Sequence, residues 1–308
     1  MLCILCSGQG DQHPDLFARL RANSDAAWVL ETAIREQWID QTVADWLTAE
    51  SPDSTLLHTD RFAQPLLALY QQAVWTAIKS HLPRVSLFAG LSLGELCAAG
   101  CAGAMGSADV VRVAGRRAEF MDAASPPGRL VSVLGLGSGA IAELCAETGA
   151  AAAIQTAADH WTLGCLAAQV EGVVQAAQSR GASLVKALGV TVASHTHWME
   201  PAVEPFRVAL MSAGLQRPQS PILSGTTSQR LWTPEQIMSS LCAQLHTQLR
   251  WDVCIEAALS SGIRRFLELG PGATLSHTIL GRDPTVAARS VQEFGSLTEA
   301  ASWASQPA

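Results

Sequence analysis

Ser86-Leu87-Phe88-Ala89-Gly90-Leu91-Ser92-Leu93-Gly94-Glu95-Leu96-Cys97-Ala98-Ala99-Gly100 starts as an apolar run and ends in small helix formers. Between the two lies Gly90-x-Ser92-x-Gly94. Strand, Gly-x-Ser-x-Gly and helix in that order predict a nucleophile elbow. A serine in so sharp a turn takes a strained backbone, and its crowded neighbours must be small. It then stands at the carboxyl end of a strand, with the positive N-terminal end of the next helix aimed at the reacting oxygen. A glycine-rich β-to-α turn that merely contains a serine has the same pattern, so the rest of the chain has to decide.

The chain has 308 residues, 48% of them hydrophobic and 15% charged, which describes a compact globular, enzyme-like chain and excludes a disordered one. A formal net charge of -7 without a long basic run argues against nucleic-acid binding. No apolar run reaches the length of a membrane span. Met1-Leu2-Cys3-Ile4-Leu5-Cys6 is apolar but short, lacks a basic flank and leads into Ser7-Gly8-Gln9-Gly10, so it reads as a first core strand and not as a signal peptide. The eight cysteines are scattered. Cys3 and Cys6 have Cys-x-x-Cys spacing, but in a strand they point to opposite faces. Buried thiols of this kind suit a reducing cytoplasm.

Outward from the elbow, residues 2–6 predict a buried strand and 60–82 an amphipathic helix that Pro83 ends. A second helix is expected over 108–124. Ser125-Pro126-Pro127-Gly128 then breaks the chain. The segment after this break has its own rhythm: strand 129–136, helix 138–148, strand 150–156, strand 160–167, helix 171–181 and strand 182–190. That is βαββαβ, a ferredoxin-like order. It sets the expected organisation as a large domain of residues 1–127 and 193–308 with a small domain of 128–192 inserted in it. Helices over 198–214, 234–248 (capped by Thr233) and 253–260 come next, then a strand at 266–269 and a short helix from Thr274. The tail from Asp283 reads as irregular, then weakly helical to Trp303.

Ser92 needs a base, and histidine is the usual one. Of eight histidines, His195 and His197 stand where the chain re-enters the large domain, and their spacing lets only one of them face Ser92. Arg116-Arg117 is a basic pair on an otherwise apolar helix. Such arginines are commonly solvated or paired with Glu119 or Asp122, but a guanidinium is also suited to clamping a carboxylate.

Six motifs occur in a fixed order: Gly8-Gln9-Gly10, Gln64-Pro65, Gly90-Leu91-Ser92-Leu93-Gly94-Glu95, Arg117 with Met121 four residues on, Ser194-His195, and Glu268-Leu269-Gly270-Pro271-Gly272. From about residue 2 to about residue 282 the chain resembles the malonyl-CoA:acyl-carrier-protein transacylase family, which includes acyltransferase domains of polyketide synthases. The tail around Ala288-Arg289-Ser290-Val291 is similar to the malonate decarboxylase epsilon subunit, a transacylase serving that complex's own carrier.

The resemblance implies an α/β-hydrolase-like large domain and a ferredoxin-like small one. It implies ping-pong transfer of a malonyl group from coenzyme A to the phosphopantetheine thiol of an acyl carrier protein. Ser92 is the implied nucleophile and His195 its base. The backbone N–H groups of Gln9 and Leu93 form the oxyanion hole, Arg117 grips the free carboxylate, and carbonyls near Leu249-Arg250-Trp251 orient the histidine. No metal and no bound cofactor are implied, and coenzyme A enters as a thioester substrate. Arg84, Arg112, Arg116, Arg264 and Arg265 are candidates for a basic face toward an acidic carrier. The chain departs from the family pattern at Leu91, at Ala118 and around Thr156-Ala157-Ala158-Asp159-His160. A serine hydrolase or thioesterase on the same scaffold, and a non-catalytic carrier-docking subunit, are the alternatives.

Overall fold

A computed structural model of the chain describes residues 1–49, 53–124 and 126–306. Ser125, inside the expected break, lies outside the described residues. In chain order the strands are β1 (Leu2–Cys6), β2 (Val85–Gly90), β3 (Gly128–Leu134), β4 (Ala151–Ala157), β5 (His160–Leu166), β6 (Leu184–Ala187), β7 (Ile222–Leu223), β8 (Arg230–Leu231), β9 (Leu249–Arg250), β10 (Arg265–Glu268) and β11 (Ala287–Ser290).

They form two sheets. The first has the order β11-β10-β1-β2-β7-β8 and is parallel except for the β7–β8 pair. Its central strand β1 is buried throughout because helices cover both faces, and such a strand must be apolar on both sides. Leu2, Ile4 and Cys6 join one core cluster, and Cys3 and Leu5 join the other. Cys3 and Cys6 therefore do point apart. All eight cysteines are free thiols.

The second sheet has the order β6-β3-β5-β4-β9. With the helices Ser138–Thr148 and Val170–Ser179, strands β3 to β6 give βαββαβ in the ferredoxin-like spatial order, fourth-first-third-second. The fifth strand, β9, comes from far along the chain and pairs parallel to β4. The architecture is thus an α/β-hydrolase-like layer carrying a ferredoxin-like unit.

Two expectations need correction. The strand expected over 182–190 is only Leu184–Ala187, three of whose four residues are exposed, since it is the outer edge of its sheet. The tail is not irregular: β11 pairs parallel to β10, and the helix Leu297–Ser305 buries Leu297, Ala300, Ala301 and Ala304. Ala287-Ala288-Arg289-Ser290 has little intrinsic strand preference, so pairing with β10 makes it a strand. No helix among the described residues is long and apolar enough to cross a membrane.

Candidate active site

The carboxyl ends of β1, β2 and β10 lie side by side, and their loops meet there. Glu268, at the end of β10, is fully buried. It accepts hydrogen bonds from Ser7 Oγ at 2.7 Å and from the Ser276 N–H at 2.8 Å, which ties the loop after β1 to the start of the Thr274–Arg282 helix.

Ser92 follows β2 with φ 58° and ψ −116°, a conformation that L-residues avoid. It persists because its surroundings fix it. The Leu91 N–H donates to the Cys6 carbonyl at 3.1 Å, and the Gly94 N–H to the Leu91 carbonyl at 2.9 Å. A Cβ on Gly90 would stand 2.0 Å from the Gly94 carbonyl carbon, and one on Gly94 would stand 1.9 Å from the Cys6 oxygen. Both glycines are therefore steric requirements of the elbow. Leu93 is the first residue of the Leu93–Cys101 helix, whose first N–H groups lack intrahelical acceptors. The Gly8-Gln9 loop packs against the same turn, because a Cβ on Gly8 would meet the Leu91 oxygen at 2.9 Å.

His195 also has a left-handed backbone, φ 63°. The end of the Pro234–His246 helix holds it. The last carbonyls of a helix have no intrahelical donor, and two of them are used here. The Leu245 carbonyl accepts the His195 backbone N–H at 2.8 Å, and the Gln244 carbonyl accepts Nδ1–H at 2.5 Å. That bond sets the tautomer, so Nε2 is the acceptor for Ser92 Oγ–H at 2.8 Å. This corrects the expected histidine-orienting residues. Leu249 and Arg250 form β9, and Arg250 pairs with Asp252 at 2.8 Å; the orienting carbonyl is five residues earlier, where the helix ends. Burial, helped by the Arg117 charge, pushes the His195 pKa down to about 3, so the imidazole is neutral and able to accept a proton. His197 is exposed and stacks on Trp198, with ring centroids 4.2 Å apart.

Arg116 and Arg117 part company. Arg116 is exposed and pairs with Glu119 at 2.9 Å. Arg117 is 1% exposed and turns inward. Its Nη1 donates to Gln64 Oε1 at 2.8 Å, and its Nη2 donates to Ser92 Oγ at 3.3 Å and to Gln244 Oε1 at 3.5 Å. Nε is a buried donor without a partner among the described residues. Burial lowers the Arg117 pKa to about 10, which leaves it charged at neutral pH. Asp60, buried one helical turn before Gln64, accepts from Gln9 Nε2 at 2.8 Å and anchors that loop. Burial raises its pKa, against the Gln9 bond and the Arg117 charge.

A serine hydroxyl, a neutral imidazole aligned to it, a buried cation beside both and the Leu93 N–H at a helix start make up an acyl-transfer site. A family model described as Acyl transferase domain matches residues 4–291. The chain belongs to the acyl transferase domain family. The malonyl CoA-acyl carrier protein transacylase of Salmonella typhimurium is 27% identical over 301 residues, covering 95% of this chain and 96% of that protein. The solved malonyl CoA-acyl carrier protein transacylase of Coxiella burnetii superposes with a TM-score of 0.90 at 23% identity, over 99% of this chain and 96% of that one, and shows the shared fold. A malonyl-transacylase solved in complex with its type II PKS acyl-carrier protein superposes at a TM-score of 0.86 and 25% identity, over 98% of this chain and 99% of that one.

In this acyl transferase domain two of the departures from the family pattern have a structural place. Leu91 packs against two core clusters, one under the first sheet and one formed by Leu130, Ala153, Ile154 and Leu249, so it joins the two layers beneath the elbow. Thr156 to His160 span the end of β4, the turn and the start of β5, and line a cavity of about 960 Å³ together with Asp252, Thr274 and His277. Neither Ser92, His195 nor Arg117 is among its lining residues, so chemistry rather than cavity size locates the active site. The basic face is also corrected. Arg84, Arg264 and Arg265 stand at the amino ends of β2 and β10, across the sheet from Ser92, and Arg265 is 7% exposed with its guanidinium 4.7 Å from the Trp303 ring. Arg112 lies 3.9 Å from Asp109. Gln244 and Asp60 were missed from the sequence. Asp60, four residues before Gln64 on one helix, carried a signal at i, i+4 spacing. Gln244 carried none beyond lying near a helix end.

Proposed function

We propose that the chain transfers a malonyl group from coenzyme A to the phosphopantetheine thiol of an acyl carrier protein through an ester on Ser92. One observation carries this reading: Ser92 Oγ lies between His195 Nε2 at 2.8 Å and Arg117 Nη2 at 3.3 Å. Ser92 Oγ attacks the thioester carbonyl while His195 Nε2 takes its proton. The tetrahedral oxyanion forms against the N–H groups of Gln9 and Leu93, which are aimed at developing charge. The carbon–sulfur bond breaks, and His195 returns the proton to the coenzyme A sulfur. The carrier's thiol then gives its proton to His195, attacks the ester, and Ser92 leaves reprotonated. No cofactor takes part in these steps. Arg117 holds the malonyl carboxylate, because a buried guanidinium returns in two charge-assisted bonds much of the solvation that the carboxylate loses. An acetyl group would leave that cation unpaired. The activities named for the relatives above support the substrate and the carrier. The same reading divides the chain at 128 and 192 and expects it in the cytoplasm.

Intact-mass measurement after exposure to malonyl-CoA tests it. A malonyl adduct is expected on the wild type, discharged by a phosphopantetheinylated carrier, absent in Ser92→Ala and reduced about 100-fold or more in formation rate in Arg117→Ala. Adduct formation on Ser92→Ala, or discharge to water as fast as to the carrier, would overturn it.

A further inference from the structure

Gln244 has a second part in the site, separate from its main-chain carbonyl. Its side chain is fully buried. Nε2 donates to the Ser92 carbonyl at 3.1 Å, and Oε1 accepts from Arg117 Nη2 at 3.5 Å. One carboxamide therefore links the backbone of the strained nucleophile to the buried cation. A carboxamide offers a donor and an acceptor at its tip without carrying charge.

The absence of charge matters. Both side chains that hydrogen-bond the Arg117 guanidinium from the helices around it, Gln64 and Gln244, are amides; Asp60 and Glu95 act on its charge from further off, and among the described residues no carboxylate forms an ion pair with it. Gln64 occupies Nη1 at 2.8 Å. On the remaining edge, Nη2 reaches Ser92 Oγ at 3.3 Å and Gln244 Oε1 at 3.5 Å, and Nε has no partner among the described residues. That edge is the geometry for a two-point bond to a carboxylate.

We propose that the Gln244 side chain is a positioning residue that sets acyl-group choice, by holding the Nε–Nη2 edge of Arg117 beside Ser92 while leaving its charge free for the substrate. This rests on the malonyl reading above. A glutamate at this position would reach the same guanidinium with a carboxylate and occupy the clamp itself. A methionine would keep the length and lose both hydrogen bonds. The main-chain carbonyl that orients His195 survives either change.

The test compares acylation of Ser92 by malonyl-CoA and by acetyl-CoA in the wild type, Q244E and Q244M, read as kcat/KM by intact mass. In Q244E the malonyl-CoA value is expected to fall by about 100-fold or more and the acetyl-CoA value by less than about tenfold. In Q244M the malonyl-to-acetyl ratio is expected to fall in the same direction by about tenfold. A ratio within about twofold of wild type in the variants that fold, even with both rates lowered, overturns the proposal, because a merely structural residue would slow both substrates alike. Q244M carries the test if Q244E does not fold. A wild type that forms no malonyl ester overturns the malonyl reading itself, and that is visible before any variant is made.

Discussion

At the scale of single residues, the site depends on which groups are denied charge and which are denied a partner. His195 is buried beside a guanidinium, so its proton affinity falls to a pKa of about 3 although the Gln244 carbonyl favours the protonated ring. A free imidazole would be half protonated near 6.5. Malonyl loading of Ser92 is therefore expected to stay level from pH 8 down to about 5, as measured by quenched intact mass; a half-loss near 6.5 would contradict it. The same shift affects stability. Between about pH 6.5 and 3 the unfolded chain binds a proton at His195 that the folded chain does not, so this group lowers stability as pH falls through that window. Glu95 acts in the opposite direction. Burial pushes its pKa up to about 7, so its contribution is complete below the ordinary 4.5 and is lost as pH rises toward 7.

At the scale of elements, the elbow is a joint between β1, β2 and the Leu93–Cys101 helix, and the two glycines set its tightness. Gly94→Ala places a methyl 1.9 Å from the Cys6 carbonyl oxygen, an atom of a central strand that cannot rotate away. The expected cost is about 3 kcal/mol or more in urea unfolding, with loss of Ser92 labelling. Gly139→Ala, in the Ser138–Thr148 helix with nothing within 4 Å of the new methyl, is the control and is expected to be neutral or stabilising by up to about 1 kcal/mol. A Gly94→Ala protein that unfolds like the control would refute the steric account. The same joint shows what was legible in the sequence. The elbow, the Leu93–Cys101 and Ser138–Thr148 helices and β1 could be read because apolar periodicity, a glycine pattern or a fully apolar strand announces each of them. β8 and β9 are two residues long and too short to show a period, so only their neighbours define them. The histidine-orienting carbonyl was misplaced for a related reason. Any residue supplies a carbonyl, so its identity follows from where the helix ends and not from side-chain chemistry.

At the scale of the whole molecule, the two sheets are tied together by segments distant in sequence. β9 joins the ferredoxin-like sheet while the Trp251–Ser260 helix after it packs under the first, and Leu91 bridges the cores of both. The tail closes an edge of the first sheet. β11 covers β10, which would otherwise present open hydrogen-bonding groups beside Phe266 and Leu267. Beyond it, Val291, Phe294, Leu297, Ala300, Ala301 and Ala304 are all buried, and the Trp303 carbonyl accepts from Arg265 Nη1 at 3.0 Å. A chain ending at Asp283 is therefore expected to aggregate, or to unfold at a midpoint at least about 8 °C lower, although every residue proposed to act on substrate precedes the cut. Thermal unfolding of the truncated and full chains, with Ser92 labelling on the soluble fraction, separates the two possible roles. If the midpoint is unchanged, β11 adds nothing to the sheet and the covering of β10 carries no weight. If the midpoint falls while soluble molecules still label, the tail acts on the sheet that supports the elbow and not on the elbow itself, because β10 meets β1, and β1 supplies the Cys6 carbonyl on which the turn at Ser92 is built.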